Sequence, residues 1–199
     1  NKISAFVSTC TALYIYHRNG FLEYKANKPF LIAIILGAII GASLSRFVPA
    51  VAYKGCMVVL APTILFILFQ RRWWKEQERR KSAPWILFLL GLGCGIYDGI
   101  AGPGGGTLMF LSLFLMAGLS LPLSIGTAKL ANVFSAGFSL STYLYMDLVQ
   151  WRVALPMTIT IVAGSAIGAR IATQNAALFA RLALTIVSVF LIARLLVTF

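Results

Sequence analysis

Acidic side chains are what this chain is shortest of: 5 Asp and Glu stand against 17 Lys and Arg in 199 residues. Glu23, Glu76, Glu78 and Asp147 fall in or beside polar connectors, so Asp98 is the one acid deep inside an apolar stretch. That argues against chemistry needing two buried carboxylates and leaves an intramembrane aspartyl protease as a remote alternative. An intramembrane aspartyl protease requires a second aspartate to share a proton, and Asp147 stands at the end of an apolar run without a Gly-x-Gly-Asp context. Histidine is nearly absent too, and His17 is expected at an interface. Cys10, Cys56 and Cys94 are isolated, with no CxxC or Cys/His spacing, which excludes a zinc site and a disulfide framework. No Gly-Lys-Ser/Thr provides a nucleotide-binding loop. Gly91-x-Gly93-x-Gly95 and Gly102-x-Gly104-x-Gly106 both miss the dinucleotide spacing and follow no strand. No metal, cofactor or enzymatic activity is expected.

What is present is apolar: 60% of residues are hydrophobic and 11% charged. A soluble domain of this size has too little interior to hide so much apolar surface. The apolar residues come in blocks: 29–48, 56–69, 84–97, 104–117, 121–145 and 153–169, each with at most one charge. Blocks of about 18–25 residues suit bilayer-spanning helices, and shorter ones suit half-helices. The expected fold is all-α, a polytopic membrane helix bundle. Helical segments are expected at 3–18, 29–48, 53–70, 84–99, 105–117, 121–146, 153–173 and 178–197. The net charge of +12 does not imply nucleic acid, since the cations sit in short connectors such as Arg71-Arg72-Trp73-Trp74-Lys75. Tryptophan beside arginine at a helix end marks a membrane–water interface. Lipid, not nucleic acid, is the expected surroundings.

Shifting the chain by 127 positions aligns it with itself without a gap. Lys2 falls on Lys129, Ser8 on Ser135, Tyr16 on Tyr143, Pro29 on Pro156, and Gly37-x-x-x-Gly41-Ala42 on Gly164-x-x-x-Gly168-Ala169, twelve identities in the first 54 positions. Counting from the segment that holds Lys2 to the one that holds Lys129 gives five steps, an odd number, so the two copies are expected to face opposite sides of the membrane as inverted repeats. The copies divide at 1–83 and 84–199, together one membrane domain. The second copy reaches upstream of Lys129 to about Pro84, and the matching part of the first would precede Asn1. A longer parent with one more helix pair is therefore expected. Gly37-x-x-x-Gly41 and its twin are read as packing surfaces, and Pro29 and Pro156 as helix starts.

The chemistry is expected at a break. Asp98-Gly99-Ile100-Ala101 leads into Gly102-Pro103-Gly104-Gly105-Gly106 between two apolar runs. Backbone cannot lie unpaired in lipid, so non-helical chain at membrane depth lines a cavity or is buried in protein. Such broken helices form substrate sites in secondary transporters, where freed N–H groups attract anions. Lys129 stands eight residues, about 12 Å, inside its apolar run. Intramembrane ionisable groups point to function by default. Asn132 and Ser135 continue its polar stripe, with Thr127 nearby, and Lys2, Ser4 and Ser8 repeat it in the other half. Gly102, Gly104, Gly105, Gly106, Lys129, Asn132, Ser135 and Lys2 are thus the expected seat of a small anion. Asp98 is expected either to carry a coupling proton or to hold the broken backbone.

The stretch Gly95-Ile-Tyr-Asp-Gly-Ile-Ala-Gly-Pro-Gly-Gly-Gly-Thr107, with Gly126-Thr-Ala-Lys-Leu-Ala-Asn-Val-Phe-Ser-Ala136, resembles the second-half signature of the TauE/SafE family. Asn1-Lys2 resembles the end of the corresponding first-half motif, whose glycine-rich part does not precede it here. The resemblance spans essentially the whole chain. It implies an inner-membrane permease of two inverted halves with a central site between the glycine-rich segments, exporting sulfite or organosulfonates by alternating access. A non-transporting accessory subunit is the alternative that keeps the same composition. By the positive-inside rule the 17–28 and 71–81 connectors are cytoplasmic, and the chain end after Phe199 is periplasmic. A single cysteine at Gln77 should therefore resist a membrane-impermeant maleimide applied outside intact cells; strong labelling there reverses the orientation.

Overall fold

A computed structural model describes residues 2–49, 83–149 and 151–175, together with Leu182, Thr185, Ile186 and Val189. The expected segment at 53–70 and the basic connector at 71–81 lie outside the described residues, as does all of 178–197 except those last four, which are helical. Among the described residues the chain is all-α. Its helices are α1 (Lys2–Arg18), α2 (Lys28–Leu44), α3 (Pro84–Ile100), α4 (Gly105–Leu111), α5 (Leu121–Tyr145) and α6 (Trp151–Gln174). A 3-10 turn at Ser45–Phe47 ends α2, and a π-helical turn at Ser112–Met116 extends α4. The expected segments agree with these bounds to within a few residues. The periodicity is carried by long apolar blocks, and connector residues close each one.

Proline opens three of the helices. Pro29, Pro84 and Pro122 sit in the first two positions of α2, α3 and α5, where a missing N–H has no intrahelical partner to lose. Pro156 differs from the expectation. It lies inside α6, which starts at Trp151 and takes up a further turn before the proline. Its ring removes the bond that an N–H there would give to the Arg152 carbonyl, a loss confined to the helix's first turns.

Among the described residues two helices, Lys28–Phe47 and Ala154–Gln174, are long and apolar enough to cross a membrane. Pro84–Ile100 and Gly105–Met116 are shorter apolar helices. Large apolar side chains remain outward, among them Ile32 and Ile40 on α2 and Ile159, Ile167 and Ile171 on α6. Apolar surface turned outward along whole helices suits a lipid solvent. Buried against them are Phe30, Ile34, Met109 and Leu113, each fully enclosed.

Among the described residues the tightest contact is between α2 and α3, and glycine makes it possible. A Cβ on Gly37 or Gly41 would collide with the Leu92 or Ile96 carbonyl, and one on Gly91 with the Phe30 carbonyl. At Gly95 it would stand 2.5 Å from Ile34 O, and at Gly99 2.7 Å from Ala38 O. Each helix thus lays its backbone in the other's glycine groove, the arrangement expected of small residues spaced by four. Gly91 and Gly95 serve this contact, but Gly93 faces the other way with nothing within 4 Å. Gly164, the twin of Gly37, also has nothing within 4 Å and is exposed.

The remaining contacts place α1 against α5 and α6, α2 against α5, and α4 against α5 and α3. α5 is therefore the central post. Gly95→Ala should cost about 1–3 kcal/mol by overpacking, whereas Gly93→Ala should be neutral or gain up to about 1 kcal/mol of helix propensity. Thermal unfolding of the two variants in one detergent checks this, and an equal response at both positions contradicts the interlock.

Candidate functional site

Helix α3 ends at Ile100 because the next residues cannot continue it. Gly102 and Gly104 take φ of +81° and +85°, a left-handed backbone that only glycine adopts without strain, and Pro103 between them lacks an N–H. The Gly105 N–H turns back to the Gly102 carbonyl at 3.1 Å, and Leu108 N–H to Gly104 O at 3.0 Å, which starts α4. The expected break is present at 101–104.

Two tyrosines secure it. Tyr97 donates its hydroxyl to the Pro103 carbonyl at 2.6 Å, and Tyr143 of α5 donates to the Gly99 carbonyl at 2.7 Å. Both carbonyls lie where the helix stops supplying partners, so the phenols replace lost backbone bonds. Neither tyrosine is among the expected site residues. A signal was available: Tyr97 precedes Asp98 in the glycine-rich motif, and Tyr143 repeats Tyr16.

Asp98, 3% exposed, lies at the centre. Its Oδ2 accepts from Lys2 Nζ at 2.9 Å and from Ser135 Oγ at 2.5 Å. Lys2 Nζ also donates to the Asp98 backbone carbonyl at 2.5 Å. The Lys2–Asp98 ion pair is largely buried, with side-chain exposures of 13% and 5%. Gly105 completes the group, because a Cβ there would overlap the Asp98 carboxylate. One carboxylate thus ties the start of α1, the end of α3, the start of α4 and the middle of α5. Lys2 also approaches Gly102, its Nζ 3.7 Å from where a Cβ would stand.

The other expected residues divide into two places. Gly106 faces Asn132, whose Nδ2 would be 2.8 Å from a Cβ on that glycine. Gly104 faces the Tyr97 hydroxyl. Lys129 is half-buried on α5, one turn from Asn132 and six residues, about 9 Å of helix, from Ser135. Among the described residues neither Lys129 nor Asn132 has a hydrogen bond or ion pair. The structure therefore brings Lys2, Asp98, Ser135, Gly102 and Gly105 together, and sets Asn132 against Gly106 with Lys129 beyond it. The two lysines do not share one partner: Lys2 is committed to Asp98. A cavity of about 320 Å³ opens beside Lys2, Gly102 and Tyr143. Thr127 is turned elsewhere, accepting the Glu23 N–H at 3.0 Å.

An all-α bundle with outward apolar faces, a broken helix and an ion pair held within it fits a membrane transporter. The comparisons give the family: residues 1–195 match the family described as "Sulfite exporter TauE/SafE", and the chain belongs to it. It is 28% identical over 199 residues to a "Probable membrane transporter protein ORF9" of Sinorhizobium, covering 98% of this chain and 76% of that protein. A "Probable membrane transporter protein" of Haemophilus influenzae is 26% identical, with 98% and 77% covered. The "Probable membrane transporter protein YfcA" of Escherichia coli is 25% identical, with 98% and 74% covered. No solved structure matches the chain.

Removing one partner of a buried ion pair strands the other charge, at a cost of about 3–5 kcal/mol. Lys2→Met should therefore lower stability more than the double variant Lys2→Met/Asp98→Asn, which leaves no charge behind. Unfolding of the full-length protein, compared across the two single variants and the double, measures the coupling. Additive losses would show that Lys2 and Asp98 do not act as a pair.

Proposed function

We propose that the protein is a secondary transporter of the inner membrane that exports small anions, sulfite or organosulfonates among them, by alternating access. The observation that carries this reading is Lys129, a cation on an apolar helix with no partner among the described residues. It stands one turn from an equally unpartnered Asn132 that faces the glycine-rich break. A cation in that setting is costly until an anion joins it. Asn132 adds a neutral donor, and Gly106 leaves room beside it that any Cβ would fill. The names of the relatives support transport as such, and the family description supports a sulfur oxyanion as cargo.

The two halves would rock about this site as inverted repeats. Several particulars support the repeat. Under the shift of 127, the end of α1 at Arg18 falls on the end of α5 at Tyr145. The contact of α1 with α6 becomes that of α5 with α2, and both are made. Ser165 of α6 donates to the Ser8 carbonyl at 2.5 Å, while its counterpart Ala38 on α2 accepts from Ser139 of α5 at 3.5 Å.

Asp98 in this reading is a fixed anchor and not a proton carrier, since its Oδ2 already accepts from Lys2 and Ser135. Export follows from the membrane potential. An anion leaving a cell held negative inside gains about 2.3 kcal/mol per charge per 100 mV, close to a fiftyfold bias. In proteoliposomes holding the full-length protein, sulfite or methanesulfonate flux should rise with an imposed potential. Lys129→Ala should reduce it at least tenfold while Lys129→Arg retains most of it. Undiminished flux in Lys129→Ala removes the site, and flux indifferent to voltage removes uniport.

A further inference from the structure

The cluster at Asp98 shows what a lysine of one half and a serine of the other hold between them: a single carboxylate. Lys2 of α1 and Ser135 of α5 both donate to Asp98 Oδ2. The internal repeat converts Lys2 into Lys129 and Ser135 into Ser8. α1 and α5 run antiparallel, with Gly137 against the Phe6 ring and Gly126 against the Phe21 backbone. Ser8 and Ser135 therefore lie at about the same level of this antiparallel pair. Each is six residues, about 9 Å, from the lysine of its own helix, in opposite directions. Under the repeat, Lys129 and Ser8 are the counterparts of Lys2 and Ser135. The two sites differ in occupancy. Lys129 has no partner among the described residues, and the buried Ser8 hydroxyl turns back to its own helix, on the Ala5 carbonyl at 3.0 Å.

We propose that Lys129 and Ser8 form a second oxyanion seat, the twin of the one that holds the Asp98 carboxylate, built for a carboxylate- or sulfonate-sized group with one negative charge. The inference rests on the repeat in the functional reading above and adds Ser8 to its site. A rotation about χ1 frees the Ser8 proton from Ala5 O and turns it to the anion, as the Ser135 proton is turned to Asp98. The same chemistry has two sources: a free anion, or a carboxylate of the protein outside the described residues.

A double-mutant cycle on the full-length protein in detergent tests the seat, read by calorimetric titration with sodium methanesulfonate and by melting temperature. Lys129→Met should weaken methanesulfonate binding at least tenfold and Ser8→Ala about three- to tenfold. The double variant should bind no more weakly than Lys129→Met, because both donors serve one oxyanion. Ser8→Thr keeps the hydroxyl and should stay near the parent value, which separates loss of a donor from loss of packing. If the same non-additive pattern appears in melting temperature with methanesulfonate affinity unchanged, the seat stands with a protein carboxylate in it. The cargo role of Lys129 then falls. Additive losses in both readouts, or a silent Ser8→Ala beside a damaging Lys129→Met, overturn the seat and leave the transport reading intact.

Discussion

The Asp98 carboxylate is the constraint on which the other features of the site depend. A charge in an apolar bundle is tolerated only when paired and hydrogen-bonded, and here three elements meet that demand. Lys2 supplies the counter-charge, Ser135 a neutral donor, and Gly105 the bare backbone that lets α4 begin directly against the carboxylate. The break at 101–104 can therefore sit at membrane depth without stranded charge. Tyr97 and Tyr143 complete the arrangement by taking up carbonyls that the interrupted helix leaves behind.

Electrostatics and packing divide the work between the two faces of α3. One face carries Gly91, Gly95 and Gly99 and is pressed backbone to backbone on α2. The C-terminal end carries Tyr97 and Asp98 and serves the break. Van der Waals contact without side chains holds the first, and charge-assisted hydrogen bonds the second. Lys129 belongs to neither arrangement. It is the cation in the interior of a described apolar helix whose charge nothing described offsets, and that separates it from its sequence twin Lys2.

Much of this was legible in the sequence, and the reasons are specific. Long apolar blocks with few charges gave the helices because a bilayer demands them at that length. The Gly102–Gly106 cluster gave the break, because its glycines are needed at positive φ and its proline withholds an N–H. The membership in the TauE/SafE family was readable from the same motif. Pairing was not legible. Asp98 and Lys2 are 96 residues apart, and nothing in either local context says that they meet. Lys2 and Lys129 look alike by position, and only packing shows that one is satisfied. The tyrosine hydroxyls escaped for a related reason: an aromatic in an apolar helix reads as core, and its polar end matters only where a carbonyl has lost its partner. Pro156 misled because a proline marks the first turn of a helix more often than it marks the second.

The glycine interlock of α2 with α3 has a mechanical consequence. Two helices whose backbones lie in each other's grooves cannot slide or roll without lifting carbonyls over Cα atoms, so they move as one stiff plank. Any rearrangement of the bundle must bend beside that plank. The nearest interruption of regular helix is the pair of left-handed glycines at 102 and 104. A locked helix pair and a turn that only glycine can make thus stand a few residues apart, with the Lys2–Asp98 ion pair as the pin between them.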